Sequence, residues 1–77
     1  MKLRFFGRLR ECVADEFEVE LPPEVTDSEQ LRVWLGRDHP ALLDSAVKIA
    51  LDDRIVVAPT TLAGAREVAF LPPVSGG

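Results

Sequence analysis

The sequence is poor in the residues that most often carry chemistry. Among its 77 residues, Cys12 is the only cysteine and His39 the only histidine. An internal disulfide is therefore impossible, and a cysteine-based zinc site is excluded because it needs more than one thiolate. A reactive pair between Cys12 and His39 stays open, but we interpret Cys12 as a buried, inert thiol, the commoner state of a lone cysteine.

Long apolar runs and clusters of positive charge are also absent. No apolar segment approaches the roughly 20 residues that cross a bilayer, and the opening MKLRFF is not the apolar stretch of a signal peptide. The net charge is −4, from 9 Lys and Arg against 13 Asp and Glu, and the basic residues are scattered. Nucleic acids select basic surfaces. We therefore expect a cytoplasmic protein that binds neither a membrane nor a nucleic acid.

The chain has the size and composition of one small folded domain, with 47% hydrophobic residues and no room for a second core. Alternation of apolar and polar residues predicts five strands, at residues 2–6, 15–21, 46–51, 55–58 and 67–71. In the first strand Phe5 would face the core and Phe6 the charged side. In the last strand Phe70 would face the core and Leu71 the other side. Asp52 and Asp53 are interpreted as turn formers between two strands.

One main helix is predicted at residues 26–37, and short helical turns are expected at residues 8–13 and 40–45. Thr26 is a suitable N-cap, and Glu29 three residues later would complete a capping box. Leu31, Trp34 and Leu35 form an apolar stripe at helical spacing, and we interpret Trp34 as a core anchor. Pro40 ends the helical region because proline disfavours a helical residue before it.

This order of elements, two strands, a helix and three more strands, excludes all-α and pure sandwich folds. The economical solution is a mixed sheet wrapped on the single helix, which is the α+β architecture called β-grasp or ubiquitin-like. In it the first and last strands lie side by side at the centre of the sheet. We predict a β-grasp domain at residues 1–71, followed by an extended tail at residues 72–77.

The tail reads Leu-Pro-Pro-Val-Ser-Gly-Gly from Leu71 onward. Pro72 and Pro73 fix φ and favour extended neighbours, so the chain should leave the last strand as a stiff spur. Gly76 and Gly77 have no Cβ, so a partner could thread this end through a narrow channel to its carboxylate. An ordinary frayed chain end is the alternative.

With this ending, the chain resembles the small, sulfur-carrier subunits of molybdopterin synthase, the MoaD-like family. The opening Leu-Arg-Phe-Phe-Gly from Leu3, the run Glu-Val-Ala-Phe from Glu67, and the Pro-Pro-Val-Ser-Gly-Gly ending carry the resemblance. The similarity covers nearly the whole chain, and the ending is its most specific part.

The resemblance implies a mechanism at Gly77. A partner similar to ubiquitin-activating enzymes would use ATP to adenylate the Gly77 carboxylate, and a sulfur donor would convert it to a thiocarboxylate. The large synthase subunit would receive the tail and transfer the sulfur to a cyclic pterin precursor, building the dithiolene that binds molybdenum or tungsten. The carrier would bind no cofactor itself and contribute no general acid or base, because its tail has no ionisable side chain.

The resemblance also suggests a surface that binds these partners in a hetero-oligomer. Phe6, Ile55 and Leu71 match apolar family positions around the root of the tail, and we expect them to help form an exposed apolar patch, with a place in the core as the stronger alternative for Ile55. The tail itself would supply further contacts through Pro72, Pro73, Val74 and Ser75. The turns at residues 51–54 and 63–66 depart from the family pattern, which leaves the identity of the activating enzyme open.

Three other functions remain open. The chain could be a sulfur carrier for thiamine, cysteine or tRNA thiolation, which would share the fold and the adenylation. It could be a ubiquitin-like modifier, although Lys2 and Lys48 are its only lysines and disfavour a protein that builds polymers on itself. It could also be a β-grasp adaptor in which the tail has no role.

Overall fold

The computed structural model describes residues 1–73 and consists of one mixed sheet packed on one main helix. The elements in chain order are β1 (Lys2–Phe5), α1 (Leu9–Cys12), β2 (Glu16–Glu18), α2 (Ser28–Gly36), a 3-10 helix (Pro40–Leu43), β3 (Lys48–Leu51), β4 (Arg54–Val56) and β5 (Glu67–Leu71). The strand order across the sheet is β2-β1-β5-β3-β4, with β1 and β5 parallel and the other pairs antiparallel. The predicted central placement of the first and last strands is confirmed.

Alternation along the strands separates an inner face from an outer face. Leu3, Phe5, Val68 and Phe70 are almost completely buried and form the core together with Leu31 and other residues of α2. The side chains that alternate with them lie on the outer face of the sheet, which α2 does not cover. The burial predicted for β1 and β5 is therefore confirmed.

Several strands are shorter than the alternation predicts. β2 ends at Glu18, which pairs with Lys2, and mutual hydrogen bonds of 2.9 Å between Met1 and Val19 continue the contact by one residue. β3 begins only at Lys48, since Val47 N–H donates to Asp44 O in a preceding turn. β4 ends at Val56, and Val57 beyond it is 96% exposed. These ends depend on the neighbouring strands and on nearby turns, which alternation alone does not show.

The predicted helix cap is wrong by one residue. Asp27 is the N-cap of α2, and its Oδ1 accepts a hydrogen bond from Gln30 N at 2.8 Å. Thr26 lies just before the helix, and its carbonyl accepts a hydrogen bond from Leu62 N at 2.9 Å. Gln30 Oε1 in turn accepts from Thr26 N and Thr26 Oγ1. The helix start therefore resembles a capping box in which Asp27 is the cap and the Gln30 side chain bonds back to Thr26, one residue before the cap, while Glu29 takes no part.

Arg32 holds α2 to the segment that follows the 3-10 helix. Its guanidinium donates hydrogen bonds of 2.9–3.0 Å to three backbone carbonyls, those of Leu42, Asp44 and Val47. Leu42 is fully buried beneath this contact. A fixed guanidinium fork suits several fixed acceptors at once, so one side chain orders the whole connection into β3.

The turn between β3 and β4 also fixes the start of β5. Asp52 and Asp53 have φ of 46° and 70°, the geometry of a two-residue hairpin turn. The Asp52 carboxylate accepts hydrogen bonds from the backbone N–H groups of Arg66 and Glu67, at 3.0 and 2.9 Å. The interpretation of this pair as turn formers is confirmed.

Two burial predictions are wrong or only partly right. Cys12 is exposed, because α1 is a single turn that buries Leu9 and turns its other side chains outward. Trp34 is half-buried and packs against the edge of the core, so it anchors the core only in part.

Within residues 1–73, no helix has the length and apolarity to cross a membrane.

Candidate functional site

The root of the predicted tail lies at the centre of the sheet. β5 is held between β1 and β3, with Phe70 beside Phe5 and Leu71 beside Lys48. The hydrogen bond from Phe6 N to Phe70 O, 3.1 Å long, extends the β1–β5 pairing beyond the end of β1. The chain then leaves the sheet at Pro72, so its point of departure is fixed from both sides.

An aromatic stack supports this point from the inner face. The Phe5 and Phe70 rings have centroids 5.4 Å apart and are nearly parallel, and the Phe17 ring stacks on Phe5 at 5.6 Å. Phe70 is fully buried and Phe5 nearly so. The strand that carries the tail is therefore anchored in the core by stacked aromatic rings.

The outer face of the sheet divides into a charged half and a mainly apolar half, in which Lys48 beside Leu71 is the charged residue. In the charged half, Lys2 and Arg4 lie within 4 Å of the carboxylates of Glu16 and Glu67. These ion pairs are partly exposed and largely neutralise one another, so they add little stability. Their mutual pairing leaves this half with few charges to offer a partner.

The apolar half surrounds the tail root, and we call it the tail-root patch: Phe6, Ile55, Ala69, Leu71 and Pro72. Ala50 lies between Ile55 and Ala69 in one row across the sheet, and it is buried there. Because neighbouring strands are about 4.8 Å apart, Ile55 lies roughly 10 Å from β5. Exposed apolar surface grouped in this way is typical of an interaction site.

The three apolar residues that the resemblance places near the root of the tail differ in how exposed their side chains are. Phe6 and Leu71 are half-buried and lie outside the core, as the alternation predicts. Ile55 is 60% exposed, so the core alternative for it is wrong and it lies at the surface, as the expected patch requires. β4 is an edge strand, and Ile55 points to the outer face, where no element covers it among residues 1–73.

Arg4 joins the two halves of the outer face. Its guanidinium carbon lies 5.0 Å from the centroid of the Phe6 ring, while its Nη1 is 3.8 Å from Glu67. A guanidinium over an aromatic face is attractive and keeps the ring in place. The Phe6 ring is therefore presented beside the tail root in a defined orientation.

Val57 is a further exposed apolar residue at this surface, and the sequence pattern does not identify it as one. It was assigned to a strand, but it is almost completely exposed just beyond β4. Continuing the pairing of Ile49 with Val56 brings Val57 beside Lys48, the neighbour of Leu71. Pro59, two residues later, was the available signal that β4 ends early at the edge of the sheet.

The described residues include only the start of the predicted tail. Pro72 and Pro73 are half-buried at the end of β5. Val74, Ser75, Gly76 and Gly77 lie outside the described residues, and the functions assigned to them stay predictions. Among residues 1–73, no group of three or more His, Cys, Asp or Glu side chains is placed to hold a metal ion.

A mixed sheet wrapped on one helix, with its first and last strands parallel at the centre, defines the ubiquitin-like β-grasp class. Within that class, the chain belongs to the ThiS family, whose model matches residues 3–77. It is also similar to the molybdopterin synthase sulfur carrier subunit of Caenorhabditis elegans. The two are 31% identical over 86 residues, covering 100% of this chain and 96% of that relative. The family resemblance read from the sequence is thus confirmed.

Proposed function

We propose that this chain is a sulfur carrier that works as the small subunit of a molybdopterin synthase, with Gly77 as its reacting residue. The observation that carries the proposal is the match over the entire chain to a relative named as a molybdopterin synthase sulfur carrier subunit. The family match, which reaches Gly77, agrees with it. The anchored β5 supports the proposal, since a carrier needs a firm base for a reactive end.

The proposed chemistry takes place on the terminal carboxylate. A carboxylate oxygen is a poor leaving group, so an adenylating partner joins it to AMP from ATP and releases pyrophosphate. A sulfur donor then displaces AMP and leaves a thiocarboxylate, which is a sulfur nucleophile. The acid and base groups come from the partners, and the carrier needs no cofactor of its own.

The geometry of the domain fits a carrier that delivers its end into a partner. Six residues from Pro72 to Gly77 reach at most about 20 Å when fully extended. That length suits an active site set well below the partner's surface. The tail-root patch would then lie against the rim of the opening, where burial of apolar area stabilises the complex.

Three partners follow from this proposal: a large synthase subunit, an adenylating enzyme similar to the ubiquitin-activating class, and a sulfur donor. The first two would use the tail-root patch in turn, because both must receive the same tail. The related carriers for thiamine, cysteine or tRNA thiolation differ in the acceptor of the sulfur, and so does a protein modifier, which forms an amide bond.

The test is a reconstitution with the adenylating enzyme, ATP and a sulfur donor. We expect the intact chain to gain the mass of one oxygen-to-sulfur exchange, localised to Gly77 by fragmentation in mass spectrometry. Addition of the large subunit and the cyclic pterin should then release the sulfur and return the original mass. Sulfur uptake without transfer to the pterin would point to another thiolation pathway, and a conjugate to lysine would point to a modifier. No uptake from the cognate enzyme would exclude a sulfur carrier.

Charge placed in the tail-root patch should weaken binding to the large subunit. We expect Leu71→Glu, Phe6→Glu and Ile55→Glu each to raise Kd about tenfold or more, because a buried carboxylate would lose its hydration without a partner. Calorimetry would measure the Kd, and thermal unfolding would show that each variant is folded.

Val33→Glu is the matched control for these variants. Val33 is 52% exposed on α2, on the opposite side of the domain from the outer face of the sheet. We expect this variant to bind the large subunit like the wild type. An equal loss of affinity in Val33→Glu would show that added charge, and not the patch, weakens the complex.

A further inference from the structure

Gly7 and Pro72 lie against each other where the chain turns away from β1 and leaves β5. The parallel pairing sets Phe5 beside Phe70, and two residues later on each strand Gly7 meets Pro72. A Cβ placed on Gly7 would stand 2.6 Å from Pro72 Cγ and 3.5 Å from Pro72 Cδ. Because non-bonded carbons favour separations of about 3.5–4.0 Å, the absent side chain leaves the space that the proline ring fills.

The backbone conformation at position 7 is a second reason why glycine is required there. Its φ is +55°, in the left-handed region that glycine adopts without a steric penalty. Gly64 also has a positive φ, +81°, but no atom lies within 4 Å of a Cβ placed there. The two glycines therefore share a backbone requirement and differ in the contact with Pro72.

The turn that contains Gly7 is held more firmly than the proline beside it. Phe6 N donates to Phe70 O, Leu9 N donates to Phe6 O, and Arg10 N donates to Gly7 O, at 3.0–3.2 Å. The Leu9 side chain is buried in the core. Pro72 has no N–H with which to bind a neighbouring strand. A side chain at position 7 would therefore displace Pro72 and leave the turn in place.

We propose that Gly7 is a positioning residue for sulfur delivery, because it sets the direction in which the tail leaves the domain. This inference rests on the proposed function. Gly7 acts through Pro72: the two consecutive prolines make the start of the tail stiff, so a displacement at Pro72 is carried toward the reacting end. A misplacement of about 1 Å at a reacting centre can lower a rate by about 10²-fold.

The test is a double-mutant cycle in the reconstituted synthase, with single-turnover sulfur transfer to the cyclic pterin as the readout. We expect Gly7→Val to lower the rate about tenfold or more and to raise the Kd for the large subunit by a clearly smaller factor, since Pro72 is the one patch residue that it displaces. Gly64→Val, strained by its positive φ but free of contacts, should transfer sulfur at the wild-type rate.

Pro72→Ala completes the cycle because it removes Cγ and Cδ, the two atoms nearest to the added Cβ. We expect Pro72→Ala alone to transfer sulfur several-fold more slowly, and Gly7→Val to cost almost nothing further on that background. Equal rates for Gly7→Val and Gly64→Val, or fully independent effects of the two changes at positions 7 and 72, would overturn the proposal.

A measurement without sulfur separates this inference from the proposed function. The wild-type chain should show a nuclear Overhauser effect between Gly7 Hα and the Pro72 ring protons, and Gly64→Val should keep it. Should Gly7→Val not fold, this signal and the rate of Pro72→Ala still decide the matter: absence of the signal, or a wild-type rate for Pro72→Ala, contradicts the proposal. A wild-type chain that takes up no sulfur contradicts the proposed function itself, whatever the contact between positions 7 and 72.

Discussion

Deletion of Gly77 is expected to abolish sulfur uptake and molybdopterin formation while leaving the domain fully folded. The shortened chain still ends in a glycine carboxylate at Gly76, so its chemistry is unchanged and only its reach differs. One residue contributes up to about 3.6 Å of extended chain. Since a misplacement of about 1 Å can cost about 10²-fold in rate, the loss should exceed the range of the assay.

The measurement is mass spectrometry after incubation with the adenylating enzyme, ATP and the sulfur donor, followed by synthase turnover with the large subunit. The midpoint of thermal unfolding should equal that of the wild type, because the core ends at Phe70. Gly77→Ala is the companion variant, since it keeps the length and adds one methyl group. Binding of the large subunit by the deletion variant, together with unimpaired function in the cell, would favour the adaptor over the carrier.

The overall arrangement of the fold could be predicted from the sequence because its signals are local. Alternation in residues 67–71 separates Phe70 from Leu71 without reference to any other strand. The order of strands and helix then leaves few arrangements that bury both apolar faces. The ends of the elements could not be predicted in this way, because the extent of β2 follows from its register with β1, in which Lys2 pairs with Glu18 and Met1 with Val19.

The hydrogen bonds that order the loops could not be predicted from the sequence for a related reason. Arg32 is polar and sits in a helix, which locally predicts an exposed side chain. Its acceptors are backbone carbonyls 10 to 15 residues away, so no pattern in the sequence joins them. Thr26 likewise loses the capping position to Asp27 because of its pairing with the distant segment around Leu62.

The sequence indicates which residues lie near the root of the tail better than it indicates how they are arranged there. Phe6 and Leu71 were placed off the core by alternation. For Ile55 the sequence left both the exposed patch and the core open, and only the topology shows that β4 is an edge strand with Ile55 exposed on it. Gly7 could not be identified as important from the sequence alone. Its contact with Pro72 exists because two strands 65 residues apart in sequence lie parallel, with Lys2 beside Glu67.

Phe70→Ala is expected to have the largest effect on stability of any substitution near the tail. Phe70 is fully buried and stacks on Phe5, and truncation of such a residue costs about 3–5 kcal/mol. Domains of this size have a free energy of unfolding of roughly 4–12 kcal/mol. We therefore expect the midpoint of thermal unfolding to fall by about 15 °C or more, with sulfur transfer lost only as the chain unfolds.

Leu71→Ala is the matched control, because Leu71 is the next residue along β5 and lies on the outer face. We expect it to unfold near the wild-type temperature and to lose affinity for the large subunit. Urea unfolding would give both free energies, and calorimetry at low temperature would give both Kd values. Phe70→Ala should bind the large subunit with wild-type affinity under conditions in which it is folded.

If the two variants were equally destabilised, Leu71 would be a core residue, and the tail-root patch would lose its central residue. If they differ as expected, one strand carries stability on its inner face and recognition on its outer face. That separation would let the outer face change to suit a partner without loosening the base of the tail.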